Sequence, residues 1–404
     1  MKKNLTTLAL APLMLALAGC ANSASSNEIT ITIWEDTSNI GIVQTLTDEY
    51  LTQYKSNYPD SPKINIVFEE QTEKSAIEKM STVAAAGEGP DIAAITHDTI
   101  AAGVADKLLA PASYDQALSY RMTKEAMNAV TYKGTVYGYP ITAESMTILY
   151  DKTKISAEEL SSCEKLLASG KKIAWQMTGD DGGYYTSGLY TDAVIFGEDG
   201  KDSTKVNLAT SKAVDNVYSF FHDYGSCFID ASPEEAVSYV SNGTADVVGL
   251  MSSPFILSSM KNALGNNLGI AKLPTINGES QRPFSGYKAY AVSRYSKNGV
   301  IAQDICNFLT SYDAMNWRLV KAGYLPACPL DATQDIKDSI EESAEAQIFA
   351  SSLDDSLTMP NIPEMQSYWR PMNNATTKFW NKKGSLTKEE VKTALEEATE
   401  TLLS

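Results

Sequence analysis

Residues 28–34 read Glu-Ile-Thr-Ile-Thr-Ile-Trp, an alternation of β-branched side chains that predicts a strand. Glu35-Asp36-Thr37-Ser38-Asn39 interrupts it, and Val43, Leu46, Tyr50 and Tyr54 then recur at three- and four-residue steps, predicting an amphipathic helix that the prolines of 59–62 end. A second strand is expected over 64–68. A helix carrying Ile77, Met80 and Val83 follows, stopped by Gly87-Glu88-Gly89-Pro90, and then a third strand over 91–95. Strands alternating with helices through short links predict a parallel sheet with right-handed crossovers. Ligands of such sheets bind beyond the carboxyl ends of the strands. Two loops lie there, Glu35-Asp36 with Ser38, and His97-Asp98. Asp98 is equally suited to cap a helix starting near Thr99.

The pattern changes over 136–150, a β-prone run broken at Tyr139-Pro140 and resumed as a strand over 146–150. Proline fixes its own φ and keeps the preceding residue out of the helical region. This stretch reads as the passage from one lobe to another, with Glu144 facing the space between them. Beyond it the pattern predicts a helix over 158–167 and a strand over 172–177. The glycine-rich turn Gly179-Asp180-Asp181-Gly182-Gly183 follows, ending in Tyr184-Tyr185. The turn suits a phosphate cradle, though it matches no P-loop, or a sugar platform, or a plain loop with its tyrosines folded onto the core. Helices are expected over 213–221 and 233–240, a strand over 246–250, and a helix opening at Pro254 with Phe255 near the cleft. The run 286–292 alternates as a strand returning to the first lobe, 303–319 reads as one helix, and 388–403 as another. Met359-Pro360-Asn361-Ile362-Pro363 forms a rigid turn before Trp369.

A chain of 404 residues suits two domains. The expected division is an N-lobe of 28–142 plus about 286–330 and a C-lobe of 143–285 plus about 331–404. Asp and Glu number 50 against 33 Lys and Arg, a formal charge of -17, which argues against nucleic acid or an anionic membrane surface as the recognised partner. The N-terminus has Lys2-Lys3, an apolar run over 5–15, and Leu17-Ala18-Gly19-Cys20, which reads as a signal peptide of 1–19. Its ending resembles the bacterial lipobox. That implies lipidation of Cys20, a membrane anchor on the outer face of the cell, and a flexible tether over 20–27. Loss of Lys2 and Lys3 takes the formal charge to -19. Cys163, Cys227, Cys306 and Cys328 lack metal spacing and suit either disulfides or buried thiols.

With only His97 and His222, neither in a His-Glu-x-x-His pattern, no multi-histidine metal site is expected, and no cofactor motif occurs. Ser258-x-x-Lys261 lacks the partner motifs of the enzymes that use that spacing. The enzymatic alternative is a glycoside hydrolase with Asp98 and Glu144 flanking the sugar bond.

Several runs resemble the extracellular solute-binding proteins of ABC importers, in their maltose/maltodextrin-binding branch. They are Gly87-Glu88-Gly89-Pro90-Asp91-Ile92 with His97-Asp98; Tyr132-Lys133-Gly134 through Tyr139-Pro140-Ile141 to Glu144; Leu149-Tyr150-Asp151-Lys152; and Met359-Pro360-Asn361-Ile362-Pro363 with Tyr368-Trp369. The resemblance implies a two-lobed α/β periplasmic-binding-protein-like fold (type II) with a multi-strand hinge. It also implies a non-enzymatic, monomeric receptor that closes on an α-glucan oligosaccharide and delivers it to an ABC permease. By the same resemblance the sugar is met by Glu35, Asp36, Ser38, Asp98 and Glu144, by the rings of Tyr184, Tyr185, Phe255 and Trp369, and by Arg370 nearby. Ile95 and Thr99 stand where the family has a tryptophan and an arginine, which leaves the preferred chain length and linkage open.

Overall fold

The computed structural model describes residues 28–404; the expected signal peptide, Cys20 and the tether lie outside the described residues. The strand Glu28–Glu35 pairs in parallel with Lys63–Glu70 along its whole length, and with Ile92–Thr96 on its other side. Ile31 and Ile33 of its alternating face are fully buried. The helix Thr37–Asn57 is capped by Asp36, whose side chain accepts from Ser38 N at 2.9 Å. It buries Val43, Leu46 and Tyr50 on the sheet, the residues at three- and four-residue spacing.

This N-lobe sheet continues from Ile92–Thr96 to the antiparallel Phe284–Val292, then Tyr139–Glu144, and ends at Leu325–Pro326. A second sheet runs Phe228–Ile229, Lys172–Ala174, Val247–Ser252, Thr147–Asp151, Leu268–Ala271, with Thr147–Asp151 alone antiparallel to its neighbours on both sides. The fold is therefore α/β and two-lobed, as the alternation of elements predicts. Only Ser145 and Met146 separate Tyr139–Glu144 in one sheet from Thr147–Asp151 in the other, so Glu144 is the last residue of the first.

Two further connections join the sheets. Phe284 begins the N-lobe strand Phe284–Val292 yet packs in the C-lobe core, and Leu357–Thr358 pairs in parallel with Phe284 and Ser285. The chain then re-enters the C-lobe core at Met359 and Ile362. Of the preceding helices, Gln334–Glu341 packs on Tyr312–Ala322, and Ala344–Asp354 packs against strands of both sheets, Leu268–Ala271 in one and Tyr139–Glu144 with Leu325–Pro326 in the other.

Three elements differ from the sequence expectation. The helix expected over 303–319 is two, Gly299–Leu309 and Tyr312–Ala322, because Ser311 caps the second by accepting from Ala314 N at 3.2 Å. The helix expected over 158–167 is Cys163–Ser169, started by the Ser162 cap. The glycine-rich turn over 179–185 is helical, a 3₁₀ turn Gly179–Asp181 running into Gly182–Tyr185. By contrast the helix Lys388–Leu403 falls where its pattern places it, and Thr387 with Glu390 forms a reciprocal capping box at its start. The four described cysteines are buried free thiols. Among the described residues no helix is long and apolar enough to cross a membrane.

Candidate functional site

The ends of the two sheets face each other around Glu144. Its strand partner is Gly286, and a side chain there would begin 3.8 Å from the Glu144 carboxylate, so the glycine leaves the space over which Glu144 leans. From the C-lobe, Ser253 Oγ approaches Glu144 Oε2 at 3.5 Å, the outer edge of hydrogen bonding. Burial raises the Glu144 pKa, and the positive charge of Lys288 opposes that rise.

Asp98 lies in the turn His97–Thr99 after Ile92–Thr96 and is 9% exposed. Its side chain makes no capping bond, and Oδ1 is buried with no hydrogen-bond partner among the described residues. A buried acceptor left unpaired costs about 1–3 kcal/mol, so a ligand hydroxyl donating to it recovers that cost. The backbone around it is tightly held. Gln366 Nε2 donates to Asp98 O at 3.3 Å, and the adjacent His97 ring accepts from Tyr287 N at 3.1 Å on Nδ1. That bond leaves the ring proton on Nε2, which donates to Met359 O at 2.9 Å. Asn361 accepts from Ala101 N at 3.2 Å and donates to Ala129 O at 2.7 Å. The Met-Pro-Asn run is thus fastened to the N-lobe, while the helix that follows it, Met365–Lys382, belongs to the C-lobe core.

The aromatic side is positioned by Gly182 and Gly183. A Cβ on Gly182 would sit 2.6 Å from Met177 O, and one on Gly183 2.8 Å from Met372 Cβ. Glycine at 183 lets Gly182–Tyr185 lie this close to Met365–Lys382, and glycine at 182 lets it fold back on the Met177 carbonyl. Asn373 fixes the contact by accepting from Gly183 N at 2.7 Å and donating to Asp180 O at 2.6 Å. Tyr184 consequently meets Trp369 edge-to-face, ring centroids 6.2 Å apart, and both are half-buried. Burial pushes the Tyr184 hydroxyl pKa well up, with Glu144, Tyr185, Asp98 and Asp181 adding to it, which puts these groups in one neighbourhood.

The remaining expected residues are placed differently. Tyr185 is buried in the C-lobe core, its carbonyl accepting from Trp175 Nε1 at 2.8 Å. Phe255 is 37% exposed on the turn Pro254–Ile256, two residues beyond Ser253. Arg370, about 100° round the helix from Trp369, is exposed and makes no hydrogen bond or ion pair among the described residues. Asp36 and Ser38 bond to each other at the helix start. Glu35 is 2% exposed and accepts from Tyr290 Oη at 2.8 Å. Burial pushes its pKa up to about 7, with Glu73 reinforcing the rise.

Sequence reading missed the groups that surround Glu35. Lys288 Nζ pairs with Glu73 Oε1 at 3.0 Å, and Asn39 also reaches Glu73 at 3.3 Å. Tyr324 and Arg318 line the same small cavity. Lys74 after the second strand forms an ion pair with Asp181, which joins the N-lobe to the C-lobe beside Tyr184. The lone lysine of Phe284–Val292 was the available signal, but an isolated cation in an alternating strand reads as a solvent-facing position.

The bacterial extracellular solute-binding protein model matches residues 49–348. The galactooligosaccharide-binding protein of Bacillus subtilis is 25% identical over 97% of this chain and 94% of its own length. A maltooligosaccharide ABC transporter solute-binding lipoprotein of Streptococcus pneumoniae is 23% identical over 92% and 90%. Among solved structures, the ligand-free maltodextrin-binding protein MalE1 from L. casei superposes with a TM-score of 0.80 at 18% identity, covering 93% of this chain and 99% of that one. The match over most of the chain, on a fold whose two sheets meet around Glu144, shows that the protein belongs to the bacterial extracellular solute-binding proteins.

Proposed function

We propose that the protein is the substrate-binding component of an ABC importer, held to the membrane through Cys20, and that it captures a maltodextrin-type α-glucan oligosaccharide between its lobes for delivery to the permease. The observation that carries this reading is the pairing of an unsatisfied buried carboxylate oxygen on Asp98 with the Tyr184–Trp369 rings across the cleft. A sugar ring has hydroxyls at its rim and C–H bonds on its faces, so it asks for acceptors at the edge and aromatic surface above. Glu144 and Asp98 supply the acceptors, and Tyr184 and Trp369 the surface. Charge-assisted hydrogen bonds contribute about 1.5–3 kcal/mol each, against about 8 kcal/mol for micromolar affinity. Glu35, with Asp36 and Ser38 at the adjoining helix start, supports the binding wall from beneath. The names of relatives such as the pneumococcal lipoprotein favour an α-glucan.

A second reading, a galacto-oligosaccharide ligand, is favoured by the Bacillus subtilis relative. Calorimetric titration with maltotriose, longer maltodextrins and β-galacto-oligosaccharides separates the two. Saturable heat from the glucans at one sugar per chain is the expected result. Heat from galacto-oligosaccharides alone replaces the linkage, and silence across the series overturns oligosaccharide capture. The protein acts on the sugar as a receptor and not a hydrolase, so maltotriose is recovered intact after prolonged incubation; its shortening overturns that point.

A further inference from the structure

We propose that Lys288 is a positioning residue for the ligand: paired with Glu73 in the middle of the central N-lobe strand, on the face that also carries Glu144, it holds Glu144 as the ionised acceptor that a sugar hydroxyl requires. The geometry has three parts. In Phe284–Val292, Gly286 and Lys288 point to the same face, and their antiparallel partners are Glu144 and Thr142, so the Lys288 and Glu144 side chains share one side of the sheet. The bare Gly286 leaves no side chain between them. Lys288 is nearly withdrawn from water, its side chain 16% exposed, and among the described residues it donates to Glu73 alone, with two further donors left for other acceptors. Tyr324 stacks beside the ammonium with its ring centre 5.8 Å away.

A carboxylate accepts from sugar hydroxyls through both oxygens, whereas a protonated carboxyl spends one oxygen as a donor. Burial favours the protonated form of Glu144, and Lys288 is the first influence opposing it. Burial alone would lower the Lys288 pKa, but Glu144 and Glu73 outweigh it and raise it, so the ammonium stays charged. The other titratable groups that face Glu144 are Glu73 from the loop after the second strand, His97 from the turn after the third, Tyr324 before the edge strand, and Tyr184 and Tyr185 from the C-lobe. Removing the Lys288 charge leaves no lysine or arginine among them. Glu144 then gains a proton at higher pH, and affinity is lost as pH falls through its raised pKa.

The test follows the Glu144 carboxyl by carbon-13 NMR, with its signal assigned by its loss in Glu144→Gln, and titrates maltotriose by calorimetry at pH 5.5 and 8. Lys288→Gln should raise the Glu144 midpoint by at least about one pH unit and make binding at least about tenfold weaker at pH 5.5 than at pH 8, one unit being a factor of ten. Lys288→Arg should restore both. Glu73→Gln should move the midpoint the opposite way, downward, because it removes a like charge and frees Lys288 for Glu144; this arm decides the matter if Lys288→Gln does not fold. An unshifted midpoint in folded Lys288→Gln, a Glu73→Gln midpoint that does not fall, or equal weakening at both pH values overturns the proposal. The binding arm rests on the oligosaccharide reading. If no sugar binds the unaltered protein, that reading fails, and the carboxyl titration still decides whether Lys288 holds Glu144 ionised.

Discussion

On the N-lobe side the cleft is bounded by formal charge: Glu144, Asp98 and Glu73 lie at or just beyond strand ends, Lys288 sits mid-strand in Phe284–Val292, and Glu35 and Arg318 lie behind them. On the C-lobe side it is bounded by rings, Tyr184 and Trp369 backed by Tyr185, Tyr368 and Phe284. The two sides are held in place by different means. Lys288, Glu73 and Glu35 are fixed by ion pairs and hydrogen bonds at the sheet, where an unpaired group such as Asp98 is costly. The rings are fixed by close packing of Gly183 on the helix Met365–Lys382 and of Gly182 on the Met177 carbonyl, which depends on shape rather than charge. On the proposed reading a sugar needs both chemistries, carboxylates from one lobe and the Tyr184–Trp369 rings from the other, so full affinity requires the lobes to come together. A ligand drives closure only to the extent that it binds the closed arrangement more tightly.

If this division is right, the N-lobe side responds to pH and the C-lobe side does not. The largest effect expected is on stability. Glu35 has its folded pKa pushed up to about 7 from an ordinary 4.5, so the folded protein binds the extra proton between those values. Its contribution is fully present below pH 4.5 and lost as pH rises through 7, of order 3 kcal/mol. Thermal melts at pH 5 and pH 8 should show this loss, and Glu35→Gln should flatten it. Next is Glu144→Gln, expected to weaken oligosaccharide binding by about 2 kcal/mol, roughly thirtyfold, with the fold intact; an unchanged Kd removes Glu144 from the site. Trp369→Leu should cost about 1–2 kcal/mol of binding at pH 5.5 and pH 8 alike, since an aromatic contact carries no titrating group. The smallest effect is expected from Asp181→Asn, which breaks the exposed ion pair with Lys74. It should cost less than about 1 kcal/mol of affinity, and salt should erase the difference from wild type.

The fold was legible where hydrophobic period and end signals agree. Residues 28–34 alternate so regularly that only a strand satisfies them, and Lys388–Leu403 is bounded by its own capping box. It was less legible where a cap competes with a continuous apolar pattern, as at Ser311, which divides one expected helix into two. Gly182-Gly183 reads as loop by propensity, and its helical state depends on a contact with Met372 and Asn373 nearly two hundred residues away. In the site, acidic residues after strands were identifiable because strand ends face the cleft. Lys288 and Glu73 were not, because the partner that gives each its role is 215 residues distant in sequence.

Small-angle X-ray scattering of the protein titrated with maltotriose tests the central claim most directly, because it reports capture and closure together. The radius of gyration should fall saturably and level off at one sugar per chain. Scattering curves that superimpose at every sugar concentration would contradict that claim.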